Sequence, residues 1–438
     1  MACLPLAAVL LLTLPIPAQT KKPPAPAKQE APKPAEPSPM ERAEKALDAK
    51  DYRAAADILT PYVAATPDDS AAWFDLAFAS TALGDKAKAE EAYNKALAID
   101  PKLFPAQLNL AALLNSMGRT KDALPHLAAA VELKPDHARA LALYGSALEA
   151  TGDLAQARVY YDKSLTIDAN APLTLAASGR LAIQEKNYAL AEQQLAHAIE
   201  LNPAGNERLD LARAFELDKH ADRAVEAYRG YLAANPNFAP AHRRIGQIYF
   251  EQGKMDLAAP EFEEAAKIAP SDEDDWNLAR TYSAAKKADL ALPRLARLRH
   301  NNPNDYEVEL LAGEMLNLKR EYKTAEAVLA HAIQLQPKVP DAYVELANAM
   351  YLQEQYQQTV AVLDRMRKAA DDVKETPWST FLQAISLDKL GAAEGALVSY
   401  RRFLAIANGK YPDHEFQARQ RVKALTIVLG KKGKKVPQ

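Results

Sequence analysis

At 438 residues, with 15 glycines, 7% aromatic and 49% hydrophobic side chains, many of them alanine, the chain favours close-packed helices. Alanine is the best helix former and a poor strand former, so helices are favoured over sheets. A formal net charge of -3 and an ordinary 25% of charged residues leave no bulk electrostatic pull toward nucleic acid.

The first twenty residues, MACLPLAAVLLLTLPIPAQT, carry no charged side chain, and the apolar run from Leu4 to Leu14 ends at Pro15. That run is short of the about 20 residues a membrane-crossing helix needs. With small Ala18 behind it, residues 1–18 read as a secretory signal cleaved before Gln19, which sends the chain to the periplasm or outside the cell. The missing basic start keeps a second reading open, an uncleaved signal acting as a membrane anchor. Cys3 is the single cysteine, so the mature chain holds no disulfide, thiolate nucleophile or cysteine metal site. Residues 19–39 are rich in proline, alanine and lysine, have no apolar face, and read as an extended linker: a tether or a disordered tail.

From Met40 a register appears. Pro67, Pro101, Pro135, Pro203, Pro236, Pro270, Pro303 and Pro337 stand 33 or 34 residues apart, with Ala169 filling the one doubled step. The register continues to Asp371 and, after a step of 37, to Asn408. Twelve residues before each mark stand Ala55, Ala89, Ala123, Ala157, Ala191, Ala224, Ala258, Ala291, Ala325, Thr359 and Ala396. Twenty-four before each mark stand Ala43, Ala77, Ala111, Gly145, Gly179, Ala212, Gly246, Ala279, Gly313, Ala347 and Ala384. One small residue in each of two helical runs, broken near Gly84, Gly118, Gly152, Gly253 or Gly391, lets a helix pair approach to the 8–10 Å of tight packing. Larger residues such as Tyr93, Leu127, Tyr161, Leu195, Phe262 and Leu329, eight before the marks, fill the remaining gap.

The 34-residue step with Trp73, Leu76, Ala77, Gly84, Ala89, Tyr93, Ala96 and Pro101 resembles the tetratricopeptide repeat. The resemblance implies an all-α fold: a right-handed superhelical solenoid of about eleven helix-turn-helix repeats over residues 40–408, whose first helices line a concave groove for extended peptides or partner helices. Ala169, Thr359 and Asp371 depart from the pattern, and the long step around DDVKETPW suggests a looser joint before Trp378. Residues 409–438 supply a capping helix and a basic tail, with Ala418, Val422, Leu425 and Leu429 on one stripe of a solvating last helix that also carries Arg419, Arg421 and Lys423.

Chemistry is sparse. The eight histidines (His126, His137, His197, His220, His242, His300, His331 and His414) show no metal-helix spacing and read as surface or turn residues. No glycine-rich phosphate loop or nucleophile elbow appears, so the expectation is no catalytic residue, no cofactor, no metal and no enzyme. Function then lies in the groove. Residues directly after the small first-helix position face it, among them Arg180, Arg213, Gln247 and Arg280. Phe250 and Trp276, like Phe78, Tyr351, Trp378 and Phe381, are aromatic anchors or core residues. Arg243, Gln247 and Asn277 resemble the first places of the family's carboxylate clamp, but Glu307 and Leu311 stand where two further basic residues are expected, so the clamp is broken. The expected partner is a protein, through an acidic segment or a carboxylate terminus, with no nucleic acid and no transmembrane segment in the mature chain. The function read from this is a non-catalytic scaffold in envelope assembly, secretion or polysaccharide export, and the alternative is an accessory subunit of an envelope transferase or peptidase.

Overall fold

The computed structural model describes residues 37–203, 205–369 and 375–432, and among them every regular element is an α-helix. The signal, all but the end of the linker, the joint at Asp371 and the last residues of the tail lie outside the described residues. The chain divides into two compact units, Met1–Ala224 and Val225–Gln438.

The first unit stacks the helix pairs α1 (Pro39–Asp48) and α2 (Tyr52–Ala65), α3 (Ser70–Ala82) and α4 (Lys86–Ile99), and α5 (Phe104–Ser116) and α6 (Thr120–Leu133). It continues with α7 (Ala138–Thr151) and α8 (Leu154–Ile167), α9 (Pro172–Gln184) and α10 (Tyr188–Leu201), and α11 (Glu207–Leu217), and the division falls in the first turn of α12 (Ala221–Leu232). The second unit holds α13 (Ala239–Glu251) and α14 (Met255–Ile268), α15 (Asp272–Ala284) and α16 (Ala288–Asn301), and α17 (Tyr306–Leu318) and α18 (Tyr322–Leu335). Then come α19 (Asp341–Leu352) and α20 (Tyr356–Ala369), α21 (Pro377–Lys389) and α22 (Ala393–Ala407), and a single last helix, α23 (Pro412–Lys432). Among the described residues these ten pairs, with α11 and α12 beside the division, follow the units of the register.

The small residues explain why the pairs close. The alanines of both series, and Thr359 with them, are fully buried at 0% exposure. Where the first-helix position is glycine, even a methyl group would not fit: a Cβ at Gly145 would lie 2.9 Å from Tyr161, at Gly179 2.6 Å from Leu195 and at Gly246 2.8 Å from Phe262. The large residue of the second helix therefore packs directly on the backbone of the first, and the two positions are chosen together.

The turn inside each pair follows one rule as well. Gly84, Gly118, Gly152, Gly253 and Gly391 adopt positive φ, and in the other helix-to-helix turns the same left-handed place is taken by Lys50, Lys186, Lys219, Lys286, Arg320 and Glu354. Side chains with a Cβ pay about 1–2 kcal/mol for that conformation. Lys186→Gly is expected to stabilise the chain by about 0.5–1 kcal/mol, the relieved strain less the extra freedom glycine gives the unfolded state, and a denaturant melt of the single variant measures it.

Helix starts are capped locally, by Asp51, Asp69, Asp85, Asp153 and Asn187 in the first unit and by Ser271, Asp305 and Thr376 in the second. Neighbouring repeats are tied by charge pairs such as Arg119 with Glu90 and Arg158 with Glu185, both at 2.8 Å, and Lys287 with Asp256 at 2.8 Å. At the C-terminus α23 buries Ala418 and Leu425 and half-buries Val422 and Leu429, the stripe expected from the sequence. Its other faces are less solvating than expected. Arg421 is drawn into a two-pronged pair with Asp388 of α21, and Phe416, Ile427 and Val428 stand exposed.

Candidate functional site

Within each unit an odd-numbered helix touches both its own partner and the next odd-numbered helix, whereas even-numbered helices do not approach one another to the same extent. The odd-numbered helices thus form the inner, closer-set layer, and the residue after the small first-helix position is offered from it in most repeats, Ile385 after Ala384 being buried.

In the first unit this face carries Arg180 on α9 and Arg213 on α11. Arg180 is half-buried, and its Nη1 reaches Asp210 Oδ2 of the next repeat at 3.4 Å. Burial pushes the Asp210 carboxyl up, and Arg180 and Arg213 both oppose that shift. Arg213 is exposed. Near the start of the unit, Asp75 on α3 is pushed up to about 6 by burial and by its neighbours Glu44 and Asp69.

In the second unit Arg243 of α13 is spent on the fold. Its Nε and Nη2 donate to the two oxygens of Asp274 on α15 at 2.7 and 2.8 Å, and Nη2 also donates to the Ala269 carbonyl at 2.8 Å. Asp274 is fully buried and accepts a further bond from Ser271 Oγ at 2.6 Å. Gln247 donates to Glu251 on its own helix at 2.7 Å. Arg280 of α15 lies over two aromatic faces, 4.6 Å from the Phe250 centroid on α13 and 5.9 Å from that of Trp276 one turn back. Asn277, half-buried like Trp276, makes no side-chain hydrogen bond among the described residues. The structure brings Phe250, Trp276 and Arg280 together and leaves Arg280 partly open, while Arg180 and Arg243 are engaged by acidic partners of the following repeat.

The other aromatics divide. Phe78 meets Tyr52 edge-on and Tyr351 meets Tyr356, both half-buried, but Phe381 is 3% exposed and packs on Phe403, Tyr400 and His414 as core. Several histidines are also more than surface residues. His242 Nδ1 bonds Glu261 at 2.7 Å, His126 Nδ1 bonds Gln107 at 2.7 Å, and His137 caps α7. The places of His242 and His126 were not legible because each of these partners lies on another helix, whereas His137 keeps to a turn.

One group escaped the sequence reading. On α17 and α19 the carboxylates Glu307, Glu314, Asp341 and Glu345 share the inner face, the first and third exposed and the other two half-buried. Burial, then Glu345, Asp341 and Glu307 in that order, push the Glu314 carboxyl up to about 7. Tyr306, on the same helix, is pushed up to about 12 by burial and then by Asp341. The positional rule that yields Arg180, Arg213, Gln247 and Arg280 also yields Glu314, the residue after Gly313, one repeat further on.

Among the described residues no helix is long and apolar enough to cross a membrane. Family models described as tetratricopeptide repeat match residues 46–114 and 318–385, residues 103–170, and residues 209–273 and 277–340. Human tetratricopeptide repeat protein 6 is 25% identical over 156 residues, 35% of this chain and 30% of that protein. The human protein O-mannosyl-transferase TMTC3 is 25% identical over 295 residues, 62% of this chain and 32% of that protein. The chain thus spans about a third of the length of these curated relatives. Among solved structures, yeast Tom70 is similar at 16% identity and a TM-score of 0.36, covering 91% of this chain and 98% of that one. With the repeat matches covering well over half of the sequence and the same register setting every helix pair, the chain belongs to the tetratricopeptide repeat family.

Proposed function

We propose that this chain is a non-catalytic scaffold that holds a protein partner along the inner faces of its first helices, in envelope assembly, secretion or polysaccharide export. Tetratricopeptide proteins generally mediate protein–protein interaction. The observation that carries the reading to this chain is the half-open set of Phe250, Trp276 and Arg280, a cation held by two rings on a face built from successive repeats. Arg280 in the second unit and exposed Arg213 in the first are the cations left to meet an acidic segment or carboxylate terminus, through forked, charge-assisted bonds.

The test places a photo-crosslinking residue at Gln247 on the inner layer or at Lys267 on the outer helix α14, in full-length protein in its native cells. Capture of assembly components at position 247 and none at 267 supports the scaffold. A single co-purifying transferase or peptidase favours the accessory-subunit reading, and equal capture at both positions defeats the inner-face assignment. Arg280→Gln combined with Arg213→Gln is expected to weaken partner binding by about tenfold, or about 1.4 kcal/mol.

Export belongs to the same proposal. The apolar start and Ala18 support cleavage before Gln19. Intact-mass measurement on protein from native cells should find a chain beginning at Gln19, and a retained Met1 in a cytosolic fraction would remove the envelope from the proposal.

A further inference from the structure

We propose that the inner face of α17 and α19 is a receptor for a basic segment of the partner, seating a lysine or arginine side chain among Glu314, Glu345 and Asp341. The inference rests on the scaffold reading and names the chemistry that part of the surface recognises. It also reverses the sign of the contact expected at Arg280, one repeat earlier.

Three observations carry it. The four carboxylates Glu307, Glu314, Asp341 and Glu345 share the face, and among the described residues none of them is paired with a lysine, arginine or histidine, although charge pairs tie the neighbouring repeats elsewhere. Every charge that acts on Glu314 is another carboxylate, so the group is short of a cation. A half-buried carboxylate cluster of this kind gains most from a ligand that brings positive charge with it, because it is desolvated already.

The second observation is Tyr306. It is 5% exposed, and its hydroxyl has no hydrogen-bond partner. The charges of Asp341, Glu307 and Glu314 all act on that hydroxyl, which places it close to the carboxylate group. An orphaned buried hydroxyl costs free energy unless a ligand reaches it.

Asn317 is the third. At 8% exposure it donates through Nδ2 to both the Glu345 carbonyl and Glu345 Oε2 at 3.0 Å, and its Oδ1 is left without a partner. That pair of hydrogen bonds holds the Glu345 side chain across from α17. A guanidinium or ammonium brings donors for the carboxylates without adding an acceptor that they would repel. A lysine or arginine is therefore the protein side chain that completes the set.

The test uses full-length protein and two fluorescent dodecapeptides, one of repeated glycine-lysine-alanine and the other with glutamate for lysine. The lysine peptide should bind and the glutamate peptide should not. Glu314→Gln combined with Glu345→Gln should weaken lysine-peptide binding by about tenfold or more. Glu264→Gln with Glu394→Gln, which removes the same charge from the outer helices α14 and α22, should leave it within about twofold. Asp341→Asn, at an exposed position, serves if the double variant loses its helical circular dichroism, and it should weaken binding at least threefold. An equal loss in the outer-face control, or no preference for the lysine peptide, overturns the proposal. Crosslinking at position 247 separates it from the reading on which it rests. Partner capture that is undiminished by Glu314→Gln with Glu345→Gln keeps the scaffold and overturns the basic segment. Discrimination of the peptides without any captured partner keeps the cation site and removes the scaffold.

Discussion

Arg243→Ala should destabilise the second unit by about 3–5 kcal/mol, the cost of leaving a buried charge without its partner. Asp274 is fully buried, and the arginine gives it both prongs of a fork at 2.7 and 2.8 Å while binding the Ala269 carbonyl with the same nitrogen. Truncation would leave only Ser271 and the protein interior around that carboxylate. Arg180→Ala in the first unit is the internal control. Its single contact with Asp210 is 3.4 Å long and both side chains meet solvent, so the loss should stay within about 1 kcal/mol. Denaturant unfolding followed by far-UV circular dichroism compares the two. Equal shifts in midpoint would show that the Arg243 fork carries no special weight.

The second large effect comes from crowding. Ala89→Leu or Ala258→Leu puts branched carbon into a contact with 0% exposure and should cost about 1–3 kcal/mol, whereas His197→Ala, half-buried and without a hydrogen bond among the described residues, should change stability by about half a kcal/mol or less. The sequence puts His242 beside His197 as a harmless site. The structure separates them, because His242 bonds Glu261 at 2.7 Å and the Pro236 carbonyl at 3.3 Å. His242→Ala should therefore fall between the two. A leucine variant no less stable than His197→Ala would remove the packing role from the alanine register.

These contrasts show what could be read in advance. The pairing of Ala89 with Ala77, or of Gly246 with Phe262, is legible because it repeats at fixed offsets and depends on size alone. Polar partnerships recur too, but at the distance of nearly one repeat: Arg243 with Asp274 and Lys287 with Asp256 are both 31 residues apart, and Arg180 with Asp210 is 30. Nothing in composition shows which of two first-helix carboxylates has a cation across from it. Asp274 and Glu314 are both first-helix carboxylates, yet one lies inside an arginine fork and the other among carboxylates. That outcome depends on the residue one repeat away, and the arginine positions draw attention before the acidic position that follows them.

Among the described residues of each unit, the well-developed helix contacts are with the neighbours in sequence and the helix next but one. Few distant parts of the chain must therefore find each other before folding gains free energy, so the loop-closure entropy paid ahead of the first favourable contacts is small. A growing stack can start at any well-packed pair and lengthen by one helix at a time. The pairs with glycine in the turn are the ones that reach that starting point without first straining a side chain, which makes Gly84, Gly118 and Gly152 in the first unit and Gly253 and Gly391 in the second expected seeds from which folding spreads.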